Sequence, residues 1–253
     1  ELIGNTTVIL PLLYNGYLRK DYGYPINDVI FDYTTMITGD ILIQLQDGAT
    51  YLDASTTQKG YEWRTVLSST SEFTEGFLYI PYNWDKTTTG AYPEFDLIFN
   101  NHNINDRIIG KYRDQANVGK YASLGYGVLI YNVTDCLQNG RNTLELEKEK
   151  GLTAVYPPTL ITMYNTTNSD TLKTIYIKNG ADLLYNEYNL SNRPVQTDAS
   201  ITLTNVENIT KTTLYVFAAG AGVDEADLKF NDRTYANIWE NSTGTSTQLR
   251  NVM

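Results

Sequence analysis

The sequence predicts an all-β protein. Three observations carry that reading. Apolar and polar residues alternate with period two along most of the chain, and Asp-Gly, Asn-Gly and Pro-rich turns interrupt the pattern. Tyr and Thr, which suit a pleated half-buried surface, are abundant, while strong helix formers gather only in the charged run LELEKEKG, residues 144–151.

Taken in order, NTTVILPLLYNGYL (5–18) is apolar and rich in β-branched residues. In DILIQLQDG, Ile41, Ile43 and Leu45 share one face and Gln44 and Gln46 the other. YEWRTVLS sets Tyr61, Trp63, Thr65 and Leu67 opposite Glu62 and Arg64, and EFDLIFN sets Phe95, Leu97 and Phe99 against Glu94 and Asp96. FLYIPYNW (77–84) is apolar on both faces, as a strand packed on two sides would be. GVLIYNV, TLELE, TLITMY, KTIYIKNG, SITLTNV, TLYVFAA and DLKFND read as further strands. Asp47-Gly48, Asn139-Gly140 and Asn179-Gly180 suit turns with positive φ, and Pro157-Pro158 belongs at a strand start, an edge or a bend.

Composition excludes several function classes. A formal charge of −10 argues against a nucleic-acid partner, and the acidic residues are scattered as on a solvated surface. The single cysteine, Cys136, forbids an internal disulfide and reads as a buried, inert thiol. One histidine, His102, lies in an Asn-rich loop without a nucleophile elbow elsewhere, so catalysis is not expected. No run of 18 apolar residues could span a membrane. The start at Glu1 is that of a processed or excised chain.

The chain repeats itself. QLQDGATYL resembles YIKNGADLL, Leu78-Tyr79-Ile80 resembles Leu214-Tyr215-Val216, and EFDLIFN from Glu94 resembles EADLKFN from Glu225. These pairs keep their order at a shift of roughly 131 to 136 positions, the mark of a duplication. The first copy runs on to about Tyr164, whereas only 22 residues follow Asn231. Two tandem jelly-roll-like β-sandwich domains are expected, residues 1–168 and 169–253, the second incomplete. Such an open sandwich would expose unpaired backbone groups and a bare apolar face.

YNVTDCLQNGRNTLELE (131–147) resembles the corner of galactose-binding-like jelly rolls. Thr134 or Asp135 can cap a helical turn there, Leu137 can plug the sandwich end, Gly140 can take a left-handed stop and Asn142 can tie down the loop. More broadly, FLYIPYNW…FDLIFN, YNVTDCLQNGRNTLEL, PPTLITMYN…KTIYIKNGADLLYN and TLYVFAAGA…DLKFN follow one order. That order is similar to an uncharacterised archaeal domain family found in secreted, adhesin-like surface proteins of methanogens. The resemblance implies an extracellular, cell-surface role with no known catalysis, and it supplies no site residues.

Tyr82, Trp84, Asp85 and Tyr92, with Asn83, are candidate glycan-binding residues, since aromatic faces stack on sugar rings while polar groups bind hydroxyls. A carbohydrate-binding module with surface glycans as partners is thus the alternative to a structural role. Asp106, Asp114 and the asparagines at 100, 101, 103 and 105 lack calcium-loop spacing and read as polar loop, so no metal or cofactor is implied. Sequons at Asn5, Asn165, Asn189, Asn208 and Asn241 offer N-glycosylation sites, with a sixth, Asn132, inside the corner motif. A sandwich without disulfides could carry a Lys–Asn isopeptide or Thr–Gln ester instead, but spacing does not identify the buried carboxylate such a bond needs. Finally, residues 5–18 have no counterpart before the second copy. They either pair within their own first domain or complete a neighbouring copy's open sandwich by strand donation, which would build a filament.

Overall fold

The computed structural model describes residues 5–11, 31–45, 48–69, 71–85, 92–113, 125–166, 171–181, 211–220, 227–239 and 247–252. They form an all-β sandwich fold. The strands are β1 (Asn5–Pro11), β2 (Tyr33–Ile37), β3 (Gly39–Gln44), β4 (Thr50–Asp53), β5 (Gly60–Leu67) and β6 (Phe73–Asp85). Next come β7 (Phe95–Phe99), β8 (His102–Asn103), β9 (Ile108–Arg113), β10 (Gly125–Asn132), β11 (Gly140–Lys148) and β12 (Leu152–Val155). The series closes with β13 (Thr159–Asn165), β14 (Lys173–Ile177), β15 (Thr212–Ala219), β16 (Leu228–Phe230), β17 (Arg233–Tyr235) and β18 (Thr247–Val252).

Three sheets stack. The middle sheet runs β3-β13-β6-β10-β9, with β12 joining β4 to the far end of β6. An outer sheet, β5-β11-β7-β8, covers one of its faces and a basal sheet, β18-β15-β1-β14-β2, the other. The long strand β6 shows why. Leu78, Ile80 and Tyr82 point to the outer sheet, where they meet Trp63, Leu97, Phe99, Leu144 and Leu146. Phe77 and Tyr79 point the other way, to Ile175, Ile177 and Phe217 of the basal sheet. A strand buried on both faces is apolar throughout, which is what FLYIPY predicted.

The basal sheet crosses residue 168: β1 and β2 precede that position, while β14, β15 and β18 follow it. Among the described residues beyond 168, β14 pairs with neither β15 nor β18, and β1 and β2 from earlier in the chain are its two neighbours. The inner face of the basal sheet is not bare. It packs on the middle sheet, with Phe217 edge-on to Tyr79 at 5.6 Å and Tyr33 edge-on to Phe77 at 5.0 Å. The basal sheet's far face carries Leu214 and Val216 against Leu228 and Trp239 beside the β16–β17 hairpin.

The corner between β10 and β11 forms, with its capping done differently from expectation. Neither Thr134 nor Asp135 caps the short turn Thr134–Cys136. Asn132 Oδ1 accepts from Thr134 N at 3.0 Å, and Thr134 Oγ1 accepts from Gly76 N at 2.9 Å, which ties the corner to β6. Gly140 takes φ +104° as the turn requires. Asn142, fully buried, donates to the carbonyls of Gln138 and Gly140 and accepts from Asn100 Nδ2 at 2.7 Å. The run LELEKEKG belongs mostly to β11, because Leu144 and Leu146 on alternate positions find a core, and that outweighs helix propensity.

Candidate functional site

The first site is a slot in the basal sheet. β14 and β15 do not pair with each other; β1 lies between them and is parallel to both, with Val8 opposite Tyr176 on one side and Leu214 on the other. Its β-branched residues suit an extended backbone, and two ladders satisfy it on both edges.

The middle sheet contains the equivalent arrangement. The repeat aligns β3 with β14 and β6 with β15, and the strand lying between β3 and β6 is β13. β13 is antiparallel to both neighbours. Thus β1 occupies the position of β13 with the chain direction reversed. The hairpins match as well. In the first copy Phe99 pairs His102 across Asn100-Asn101, and in the second Phe230 pairs Arg233 across Asn231-Asp232. Asn100 and Asn231 both take positive φ, 49° and 52°.

The second site is a buried charge cluster at one end of the outer sandwich. Asp85 at the end of β6 receives a hydrogen bond from Thr153 Oγ1 to Oδ1 at 2.7 Å. Lys148 Nζ stands 3.5 Å from the same oxygen, and Arg113 Nη1 is 3.5 Å from Oδ2. The side chains of Asp85 and Lys148 are both 0% exposed. Nζ also lies 4.9 Å from the centroid of the Phe95 ring. Burial pushes the Lys148 ammonium below its ordinary value, while Asp85 pulls the other way. Gly125 makes room for the guanidinium: a Cβ there would fall 2.6 Å from Arg113 Cζ.

A family model described as "Protein of unknown function (DUF3344)" matches residues 19–252. The chain belongs to the DUF3344 family. No curated protein and no solved structure matches it. The DUF3344 match begins after β1, so the strand that fills the basal slot lies outside the matched unit.

Among the proposed glycan-binding residues of this DUF3344 chain, Tyr82 and Asp85 face inward. Tyr82 is buried against the outer sheet and donates from its hydroxyl to the Tyr112 carbonyl at 3.3 Å. Tyr92 is half-buried with Lys111 over its ring, and Asn83 donates to the Tyr156 hydroxyl at 2.7 Å. The Trp84 side chain lies outside the described residues, as does Asp114. Sugar stacking needs an open ring face, which Tyr82 does not offer. The asparagines around His102 build the hairpin: Asn105 and Asn103 donate to Asp96, and Asn105 Oδ1 accepts from Leu97 N. Asn165 is exposed and its Oδ1 accepts from Thr38 N, while Asn5 opens β1. Asn189, Asn208 and Asn241 lie outside the described residues. An open polar depression of about 410 Å³ beside the corner is lined by Glu75, Asp106, Arg107 and Asp135, with Arg107 3.8 Å from Asp135.

Sequence reasoning missed Lys148 and Arg113. The signal for Lys148 was there: Asn142, Leu144 and Leu146 set an inward phase, and two residues on that phase places a lysine inside.

Proposed function

We propose that this DUF3344 chain is a non-enzymatic, adhesin-like structural protein of the archaeal cell surface that joins copies of itself by strand complementation. Residues 5–18 of one copy enter the β14–β15 slot of the next, and because head-to-tail donation need not close, the product is a filament. One observation carries the reading: β1, from outside the family match, sits where the middle sheet uses its own β13. β1 runs parallel there, and parallel pairing is slightly weaker per residue than antiparallel. A strand arriving in the other direction would reproduce the pairing of β13. The resemblance to secreted surface proteins and the sequons, exposed Asn165 among them, support an extracellular setting.

Sedimentation of the intact chain over a range of concentrations tests this. Growth into open-ended oligomers is expected, and deletion of residues 1–18 abolishes it. The deleted chain should then bind one synthetic peptide of residues 5–18. An intact chain that stays monomeric at the highest concentration reached would overturn the proposal.

A further inference from the structure

The chain's lone cysteine leaves its sandwiches without a disulfide, and the charge cluster joins two sheets through groups poised for a different bond. We infer that Lys148 and Asp85 condense to an amide, a covalent weld between the end of β11 in the outer sheet and the end of β6 in the middle sheet. Geometry brings the reactants together: Nζ is 3.5 Å from Oδ1, and both side chains are shut off from solvent. Energetics favour the product locally. Condensation replaces two buried ions, Lys148 and Asp85, each costly to desolvate, with one neutral amide, and leaves the Arg113 guanidinium facing the amide oxygen in place of a carboxylate.

The surrounding groups fit the steps. Against the pull of Asp85 and of the Phe95 ring face toward the ammonium, burial of Nζ favours the free amine, the nucleophilic form. Its lone pair attacks Cγ of Asp85, forming the N–C bond. Charge builds on Oδ2, which faces the Arg113 guanidinium. The Cγ–Oδ1 bond then breaks. Oδ1 departs as water with two of the three protons of the original ammonium, passed along by the Thr153 hydroxyl that already donates to it. An ammonium and a carboxylate become one amide and one water, so charge and atoms balance without an oxidant or activating cofactor.

Intact-mass measurement of the full chain, produced without glycosylation, reads the result. The expected mass is lighter than the sequence by one water, and protease digestion should yield a branched peptide joining the segments that carry Asp85 and Lys148. Lys148→Met and Asp85→Ala should each restore the full sequence mass. Should either variant fail to fold, the wild-type branched peptide alone decides. A wild-type chain at full mass overturns the inference, and so does a water lost elsewhere, for example by cyclisation of Glu1.

Discussion

In the first copy of the repeat, Leu78 and Ile80 of β6 face Leu97 and Phe99 of β7. In the second, Leu214 and Val216 of β15 face Leu228 and Phe230 of β16. The local solution is the same, down to the positive-φ asparagine at each hairpin tip. What surrounds it is not. The first hairpin is the edge of a four-stranded cover anchored by Trp63, Leu144 and Leu146, whereas among the described residues the second covers its sheet with two strands and Trp239. In the middle sheet the strand between the two matching strands, β3 and β6, is β13, which follows them within the same copy. In the basal sheet that strand is β1, from the other end of the sequence. Two sheets with matching flanking strands can therefore hold the same arrangement around different central strands, provided the central segment satisfies both exposed ladders.

The comparison breaks most visibly at those two central strands. Ile161→Pro removes a ladder hydrogen bond in β13 and puts a ring into the core between the middle and basal sheets, and the buried backbone group left unsatisfied costs about 1–3 kcal/mol by itself. It should expose the amides of the middle and outer sheets alike. Val8→Pro strikes the corresponding place in β1, and its effect should stay in β14, β15 and β18, with β6, β10 and β11 still protected. Hydrogen exchange resolved by strand separates the two. Uniform loss of protection in Val8→Pro would mean that the basal sheet is not separately held.

What the sequence disclosed follows from how local each signal is. Strand β6 was readable as doubly buried because its own residues are apolar on both faces, and Gly140 and Asn142 were readable because corner chemistry is settled within ten residues. β1 announced itself as a strand but not as the partner of β14 and β15, since NTTVILP carries β-branched residues that fit many neighbours and nothing local sets its register or direction. Asp85 looked like a ligand for sugar hydroxyls. Only the folded chain places it beside Lys148 and Arg113, contributed by β11 and β9, and burial of a charge is decided by such long-range partners.

A smaller effect sharpens the contrast at the hairpin tips. Asn100 donates to the Cys136 carbonyl at 2.8 Å and to Asn142 Oδ1 at 2.7 Å, and accepts from Thr143 N at 2.8 Å. Asn231 is exposed. Glycine suits the backbone of both. Asn100→Gly should therefore lose about 1–3 kcal/mol through the corner groups it leaves unsatisfied, and Asn231→Gly should change stability by no more than about 0.5 kcal/mol. Denaturant titration of the two variants measures the difference, and equal losses would show that the tips are held alike.

The subtlest contrast lies in the tyrosines that follow Leu78 and Leu214. Tyr79 is fully buried, its hydroxyl donates to Asn179 Oδ1 at 2.9 Å, and burial lifts its pKa well above the ordinary 10.0. Half-buried Tyr215 is raised too, by burial first and then by the charge of Asp40. Tyr33, at the same interface between middle and basal sheets, is pushed up to about 12 by burial and by its bond to Glu75. A phenol whose folded pKa exceeds its unfolded value holds its proton better when folded, so its contribution is complete below pH 10 and is lost as pH climbs through the folded value. Stability should accordingly fall between pH 10 and about 12, with Tyr33 setting that window. Tyr79→Phe should flatten the fall more than Tyr215→Phe, because only Tyr79 must leave a closed interface before it ionises. Tyrosinate absorbance followed alongside unfolding tests this. If Tyr215→Phe proved the larger effect, Tyr215 and not Tyr79 would be the more tightly closed of the two at this interface.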